Sequence, residues 1–502
     1  MKLWAFIVLV LFAILSFVGI LHHEMWLDEM NWWMAARDSS TYLAYLQNTT
    51  YAGHRGIWEV IVYFVSRFTA QPLSIQLLSI GISCLAVFLF LKHAPFSIPF
   101  KVAVVFSFFF LYAYNIISRG YNLTWLLLTV FCILFSKEKR NYPLLFTVLV
   151  MLACVHLFSL ILSMVLFIVF LLSDKRNKKA NLLYVLGFAI IAFLIIISIL
   201  PPEGSIFVNI ANGGFWSADR ISKTISFLVK GLYPLPDISL PGFWNTNFLV
   251  SHFKLLSILL TFCSFIIPGI LFYDKPLVLF FYCASIMLIM AALFMLRFFT
   301  GVHYMGYSFM ILVTALWLSY DSRMKGKTTG IFLSNVRNYT CKPFVWSILL
   351  CQVLSGFYVL LADYKRPFSE GKAVAAYIQQ ANAAKPLVIS ASLYSGISIA
   401  GYLNSSIYYP ALNRFGTFVN WVPDYPIPEP EIFRRITHNM DSTKNLNTFI
   451  TIANDWDGLD SLTTQVKNRF SNGAYSIKEE KQFCNAILKG EDYTVYWIRK
   501  ND

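Results

Sequence analysis

Charge is what this chain has least of. Only 13% of its 502 residues are charged, against 57% hydrophobic, and the mean hydropathy is strongly positive. That balance excludes an ordinary soluble globular chain of this length. Carboxylates are scarcer still, 26 Asp and Glu against 40 Lys and Arg, so an acid beside an apolar run needs a reason. Cysteine is sparse too. Seven of the eight lie in or beside apolar runs and only Cys484 lies in the polar C-terminal region, which implies no disulfide framework. The first apolar run ends in "SFVGILHH", without a small-residue cleavage site, and reads as an anchor, not a cleaved signal peptide. No internal repeat or low-complexity tract stands out. No basic-aromatic pattern argues for nucleic acid as a partner.

What is present is a series of apolar runs near the length that crosses a hydrocarbon core. They fall at 3–21, 72–91, 101–117, 122–135, 142–156, 157–173, 181–200, 254–272, 277–296, 303–320 and 343–361. The expected fold class is a polytopic α-helical membrane protein of about eleven spans, with the short runs at 122–135 and 142–173 able to change that number by one or two. Under this count the basic clusters "SKEKR" at 136–140, "SDKRNKK" at 173–179 and the 321–342 segment share one side with Lys2, Lys92 and Lys275. The positive-inside rule makes that side cytoplasmic. The net charge of +14 then reads mainly as topology, with attraction to anionic membrane lipids as a by-product.

After the last run the composition becomes that of a soluble protein, dividing the chain into a membrane domain, 1–361, and an exterior domain, 362–502. In the latter, "KAVAAYIQQANAA" and "LDSLTTQVKNRF" have helical spacing, while "PLVIS", "SSIYYP", "NTFITIAN" and "YTVYWIRK" read as strands. A small α/β domain is expected, with "WVPDYPIPEPEIF" as an irregular excursion from it.

The chemistry-bearing residues collect on the exterior side. "HHEMWLDEMNWW" at 22–33 places Asp28 and Glu29 together just past the first span. A carboxylate at a membrane boundary loses hydration and persists there if it is paired or used. A plain interfacial helix with acids on its wet face is the bland alternative. The same side carries His54, Arg55, Arg119 in "SRGYN", His156 in "CVHLFSL", Arg297 and His303. Each cation alone reads more readily as a snorkelling side chain than as a ligand. As a set converging on two carboxylates they suit a lipid phosphate, since Arg offers a forked donor and an Asp can deprotonate a hydroxyl. Trp32, Trp33, Trp58 and Trp244 are expected on the wet face, as belt residues or as stacking surfaces for sugars.

These features resemble the GT-C superfamily of integral-membrane glycosyltransferases, whose relatives include protein O-mannosyltransferases and lipid A aminoarabinose transferases. The matching features are "LDEMNWW" in the first exterior loop, "SRGYN" at the second exterior turn, "CVHLFSL" after the fourth span and a soluble domain after the last. The resemblance covers about 1–320 and implies a sugar on a polyprenyl phosphate as donor, a glycan, lipid or protein as acceptor, and Asp28 as catalytic base. Glu29 would orient Asp28 or bind acceptor hydroxyls, with Arg119, His156, Arg297 and His303 as the phosphate site and His54 and Arg55 as lesser members. The chain lacks the "WWDYG" signature and the second acidic motif with which oligosaccharyltransferases hold a metal, so the metal ligands are unknown and a divalent ion, Mg or Mn, stays open. The expectation is an inverting glycosyltransferase in a bacterial cytoplasmic membrane. The alternatives are a serotype-modifying O-antigen glucosyltransferase of the same chemistry, or a flippase or transporter without chemistry.

Overall fold

The computed structural model describes residues 2–51, 56–173, 178–200, 217–296, 301–324, 337–381, 386–420, 427–442, 447–454, 460–470 and 475–501. It is mostly helical. The helices are α1 Leu3–His22, α2 Leu27–Asp38, α3 Tyr42–Asn48, α4 Ile57–Val65, α5 Leu73–His93, α6 Ile98–Val105, α7 Tyr121–Phe135, α8 Tyr142–Ala153, α9 Leu157–Leu172 and α10 Lys178–Ile199. They continue with α11 Ala218–Leu232, α12 Phe248–His252, α13 Lys254–Leu271, α14 Pro276–Leu296, α15 Val302–Met305, α16 Tyr307–Leu318 and α17 Lys342–Lys365.

Six described helices are long and apolar enough to cross a membrane: α1, α5, α10, α13, α14 and α17. Four more apolar helices, α7, α8, α9 and the 302–318 stretch, are shorter. At 1.5 Å per residue, the 15 residues of α7 reach roughly 23 Å, short of a ~30 Å core unless the bilayer thins around them. The remaining run, 101–117, is broken. Ser107 is extended, ending α6, and its hydroxyl accepts from the Phe110 N–H to start a π-helical turn, Phe108–Ala113. A Cβ on Gly356 of α17 would lie 3.0 Å from the Phe106 carbonyl, so the break packs where α17 has no side chain.

The outer faces are apolar. On α1, Leu3, Phe6, Ile7, Ile14 and Phe17 are exposed while Ala5, Phe12, Ser16, Gly19 and Ile20 turn inward. On α10, Leu183, Ile190, Phe193 and Leu194 are all exposed. Such surfaces are stable against acyl chains and belong to a multi-pass membrane protein. Some polar side chains inside the bundle bond one another: the Asn122 amide donates to Ser79 Oγ at 3.0 Å and Ser83 Oγ at 3.1 Å, tying α7 to α5, and Asn115 in the turn before α7 donates to Ser16 of α1 at 2.6 Å. At one end of the bundle the basic loops meet, Arg323 donating to the Lys137 carbonyl at 3.0 Å and pairing with Asp321 beside Arg140.

At the other end stands the C-terminal region, with α18 Gly371–Gln380, α19 Gly396–Leu403, α20 Glu429–Ser442 and α21 Asp460–Phe470 around a six-stranded sheet. The strands are β1 Leu387–Ser390, β2 Ile407–Tyr409, β3 Arg414–Gly416, β4 Asn447–Ala453, β5 Tyr475–Phe483 and β6 Tyr493–Lys500, in the order β3-β2-β1-β4-β6-β5. The central strands β2, β1 and β4 are parallel, with Ile389 opposite both Tyr408 and Ile450, and the flanking pairs are antiparallel. Strand β1 is buried throughout, as a central parallel strand must be.

Candidate functional site

The site is built where α1 ends. The chain leaves the helix at His23, runs extended to Trp26, and re-enters helix at Leu27, with Asp28 and Glu29 in the first turn of α2, where the helix dipole favours negative charge. Successive helical side chains diverge by about 100°, so adjacent acids face different surroundings.

Glu29 points inward and is 1% exposed. Its Oε1 accepts from the Ser118 N–H at 2.6 Å, and its Oε2 lies 3.0 Å from His23 Nε2. The opposite ring nitrogen, His23 Nδ1, is 2.8 Å from Asp363 Oδ2, which also accepts from the Tyr112 hydroxyl at 2.7 Å. Burial alone would push the His23 imidazole down, but Asp363 and Glu29 outweigh it and raise its pKa to about 10. The ring is therefore an imidazolium at neutral pH, donating from both nitrogens. This network joins the end of α1, the first turn of α2, the turn before α7 and the end of α17.

Asp28 points the other way and keeps 23% of its side chain accessible. Its Oδ2 forms an ion pair with Arg119 Nη1, whose side chain is 6% exposed. Desolvation would weaken the charge on Arg119, and the Asp28 carboxylate more than compensates, holding the pKa above its ordinary value. Arg119 is placed by its neighbour. Gly120 has φ +74°, and a Cβ there would lie 2.5 Å from Trp58 Cγ, so the turn into α7 requires glycine.

Beyond Arg119 lies a nest of rings. His303 stacks on Tyr121 at 5.2 Å, Tyr121 meets the edge of His156 at 5.5 Å, and His156 stacks on Tyr304 at 5.6 Å, with Tyr307 behind them. The nest is pinned by the Tyr114 hydroxyl donating to the His303 carbonyl at 2.6 Å and by the Val302 N–H donating to Asn245 Oδ1 at 2.8 Å. His156 caps α9: its Nδ1 accepts from the Phe158 N–H at 3.3 Å, which places the proton of the neutral ring on Nε2. His156 and Tyr304 are partly accessible, whereas His303 is buried.

Four of the predicted site residues, Asp28, Arg119, His156 and His303, thus share one end of the bundle within this chain of contacts. Glu29 belongs to the adjoining buried network. His54, Arg55 and Arg297 lie outside the described residues. The expectation of wet-facing tryptophans is corrected: Trp32, Trp33, Trp58 and Trp244 are all buried, at 6%, 0%, 2% and 5% exposure, because they belong to the apolar core that runs from the bundle into the C-terminal region. The sequence reading missed His23, Tyr112, Asp363, Tyr121 and Tyr304. Asp363, an acid directly after the last apolar run, carried the same signal as Asp28.

Among the described residues no group of three or more His, Cys, Asp or Glu side chains could hold a metal ion. Glu29 is already engaged by His23 and Ser118, and Asp28 faces a cation. The chain matches no family model and no curated protein.

Proposed function

We propose that the chain is an inverting glycosyltransferase that moves a sugar from a polyprenyl-phosphate donor to a hydroxyl of a lipid-linked glycan, a lipid or a protein. The observation that carries this reading is Asp28: a carboxylate still accessible at the end of the helix bundle and ion-paired to a buried arginine, which adjoins Tyr121 of the ring nest that holds His156. In the proposed step the acceptor hydroxyl gives its proton to Asp28, its oxygen bonds to the anomeric carbon, and the bond from that carbon to the phosphate oxygen breaks. The electron pair leaves with the polyprenyl phosphate, and a single displacement inverts the configuration. Arg119 and the His156 Nε2–H would take up the charge that builds on the leaving phosphate. Donor phosphate would compete for Arg119 and so release Asp28 from its resting ion pair. Arg297, His54 and Arg55 remain candidates for the same phosphate, and Glu29 orients the first turn of α2. No step is routed through a metal.

The setting proposed with it is a bacterial cytoplasmic membrane, crossed eleven times: by the six long helices, the four shorter ones and the broken α6 with its π-helical turn. The basic loops lie inside; Asp28 and the C-terminal domain lie outside. The test is direct. Purified protein in lipid nanodiscs is given a panel of polyprenyl-phosphate-linked hexoses, pentoses and amino sugars, and free polyprenyl phosphate is followed by mass spectrometry. Release of polyprenyl phosphate from one donor class in the presence of acceptor is expected. Turnover of nucleotide sugars only, or of no donor, rejects the reading.

A further inference from the structure

Helix α2, which carries Asp28, is hydrogen-bonded to the C-terminal region along its whole length. At its start the Met25 N–H donates to the Tyr402 hydroxyl at 2.7 Å and the Leu27 N–H to Glu491 Oε1 at 3.2 Å. In the middle Asn31 donates to the Val419 carbonyl at 3.2 Å and accepts from the Val419 N–H at 2.9 Å. At its end Arg37 donates to Asn404 Oδ1 at 2.5 Å, and the Thr417 hydroxyl donates to Asp38. Gly401 of α19 sits where any Cβ would collide with Met30, so the two helices touch closely.

Glu491 is the unusual member. It is fully buried, and its second oxygen accepts from Ser369 at 2.6 Å, Tyr493 at 2.8 Å and Ser398 at 2.9 Å. Burial pushes its pKa up to about 7 despite these donors. Interface stability alone is served as well by an apolar residue of that volume. An oxygen set against the first free N–H of a helix does something an apolar contact cannot: it fixes the helix along and around its axis.

We infer that Glu491 is a positioning residue, through which the C-terminal domain seats the first turn of α2 and aims Asp28, one residue past the bonded Leu27. The inference rests on the proposed transfer reaction for its kinetic consequence but not for its structural one. Displacement of a reacting group by about 1 Å costs on the order of a hundredfold in rate. In the full-length protein in nanodiscs, Glu491→Ala should therefore lower turnover roughly ten- to a hundredfold with donor KM unchanged. Amide hydrogen exchange should rise over residues 27–31 and stay unchanged in β1, β4 and β6. Glu491→Gln keeps an oxygen on the Leu27 N–H and should recover most of both. Unchanged exchange over 27–31 in Glu491→Ala, exchange rising evenly through the sheet, or a well-folded Glu491→Gln no better than Glu491→Ala would each overturn it. A wild-type protein that transfers no sugar would sink the functional reading alone, and exchange over 27–31 would then decide this one.

Discussion

Replacing His23 with Gln removes one positive charge from between two buried carboxylates. In the native protein the imidazolium bonds Glu29 at 3.0 Å and Asp363 at 2.8 Å, and all three side chains are at most 3% exposed. Glutamine is neutral and has only one donor group, so at least one carboxylate loses its partner and both lose the compensating charge. Breaking a buried ion pair in this way costs about 3–5 kcal/mol, or roughly two to four orders of magnitude in the unfolding equilibrium. Denaturation in mixed micelles, followed by emission from the buried tryptophans, should show the loss. The triple change His23→Gln, Glu29→Gln, Asp363→Asn should recover most of it, since no uncompensated charge is left inside. The pH dependence adds an independent check. The folded pKa of His23 is raised from 6.5 to about 10, so its contribution is fully present below pH 6.5 and disappears as the pH climbs through 10. Wild-type stability should fall across that interval, and the His23→Gln profile should be flatter. A variant with wild-type stability and the same slope between pH 6.5 and 10 would refute the bridging role.

Two further outcomes follow from single features. Gly120→Ala places a Cβ against Trp58 at a left-handed backbone position, so it should cost more than the ~1–2 kcal/mol of backbone strain alone, read as a lowered unfolding midpoint; an unchanged midpoint contradicts the tight seat of Arg119. Cys484 is the one exposed cysteine, on the C-terminal domain, so under the proposed topology a membrane-impermeant maleimide applied to intact cells should label the wild type and not Cys484→Ser. Labelling only after the membrane is permeabilised would place the domain, and Asp28 with it, on the inner side.

Local pattern made much of this architecture readable, and long-range pairing hid the rest. The apolar runs correspond to helices because a chain in hydrocarbon must satisfy its own backbone. The break at Ser107 did not show, since one serine does not interrupt the apolar run in "VVFSFFFLYA" and Gly356, which makes room for the break, is some 250 positions away in α17. Strands β1, β2, β4 and β6 stand out as short β-branched or aromatic segments. Strand β5, "YSIKEEKQF", is charged because it is an edge strand bonded only to β6, and its exposed face reads as loop. The helix α20 begins inside the Pro-rich stretch, at Glu429, where its acids favour a helix start. At the site, the pairing of Asp28 with Arg119 joins residues from two turns that sequence reading had already set on one face. The division of labour between Asp28 and Glu29 was not legible, because it depends on Asp363, Tyr112 and Ser118, all distant in the chain.

In the proposed reaction Asp28 takes a proton during transfer and Glu29 does not. Turnover of purified Asp28→Asn and Glu29→Gln, each with intact donor binding and the wild-type amount of folded protein, tests it most directly. General-base loss predicts that Asp28→Asn falls by roughly a hundredfold or more at every pH, with donor affinity retained. Glu29→Gln keeps one oxygen for the Ser118 N–H and loses the pairing with His23, so it should lower stability, yet its folded fraction should turn over far faster than Asp28→Asn. Near-normal transfer by Asp28→Asn, or an inactive Glu29→Gln beside an active Asp28→Asn, would contradict the account.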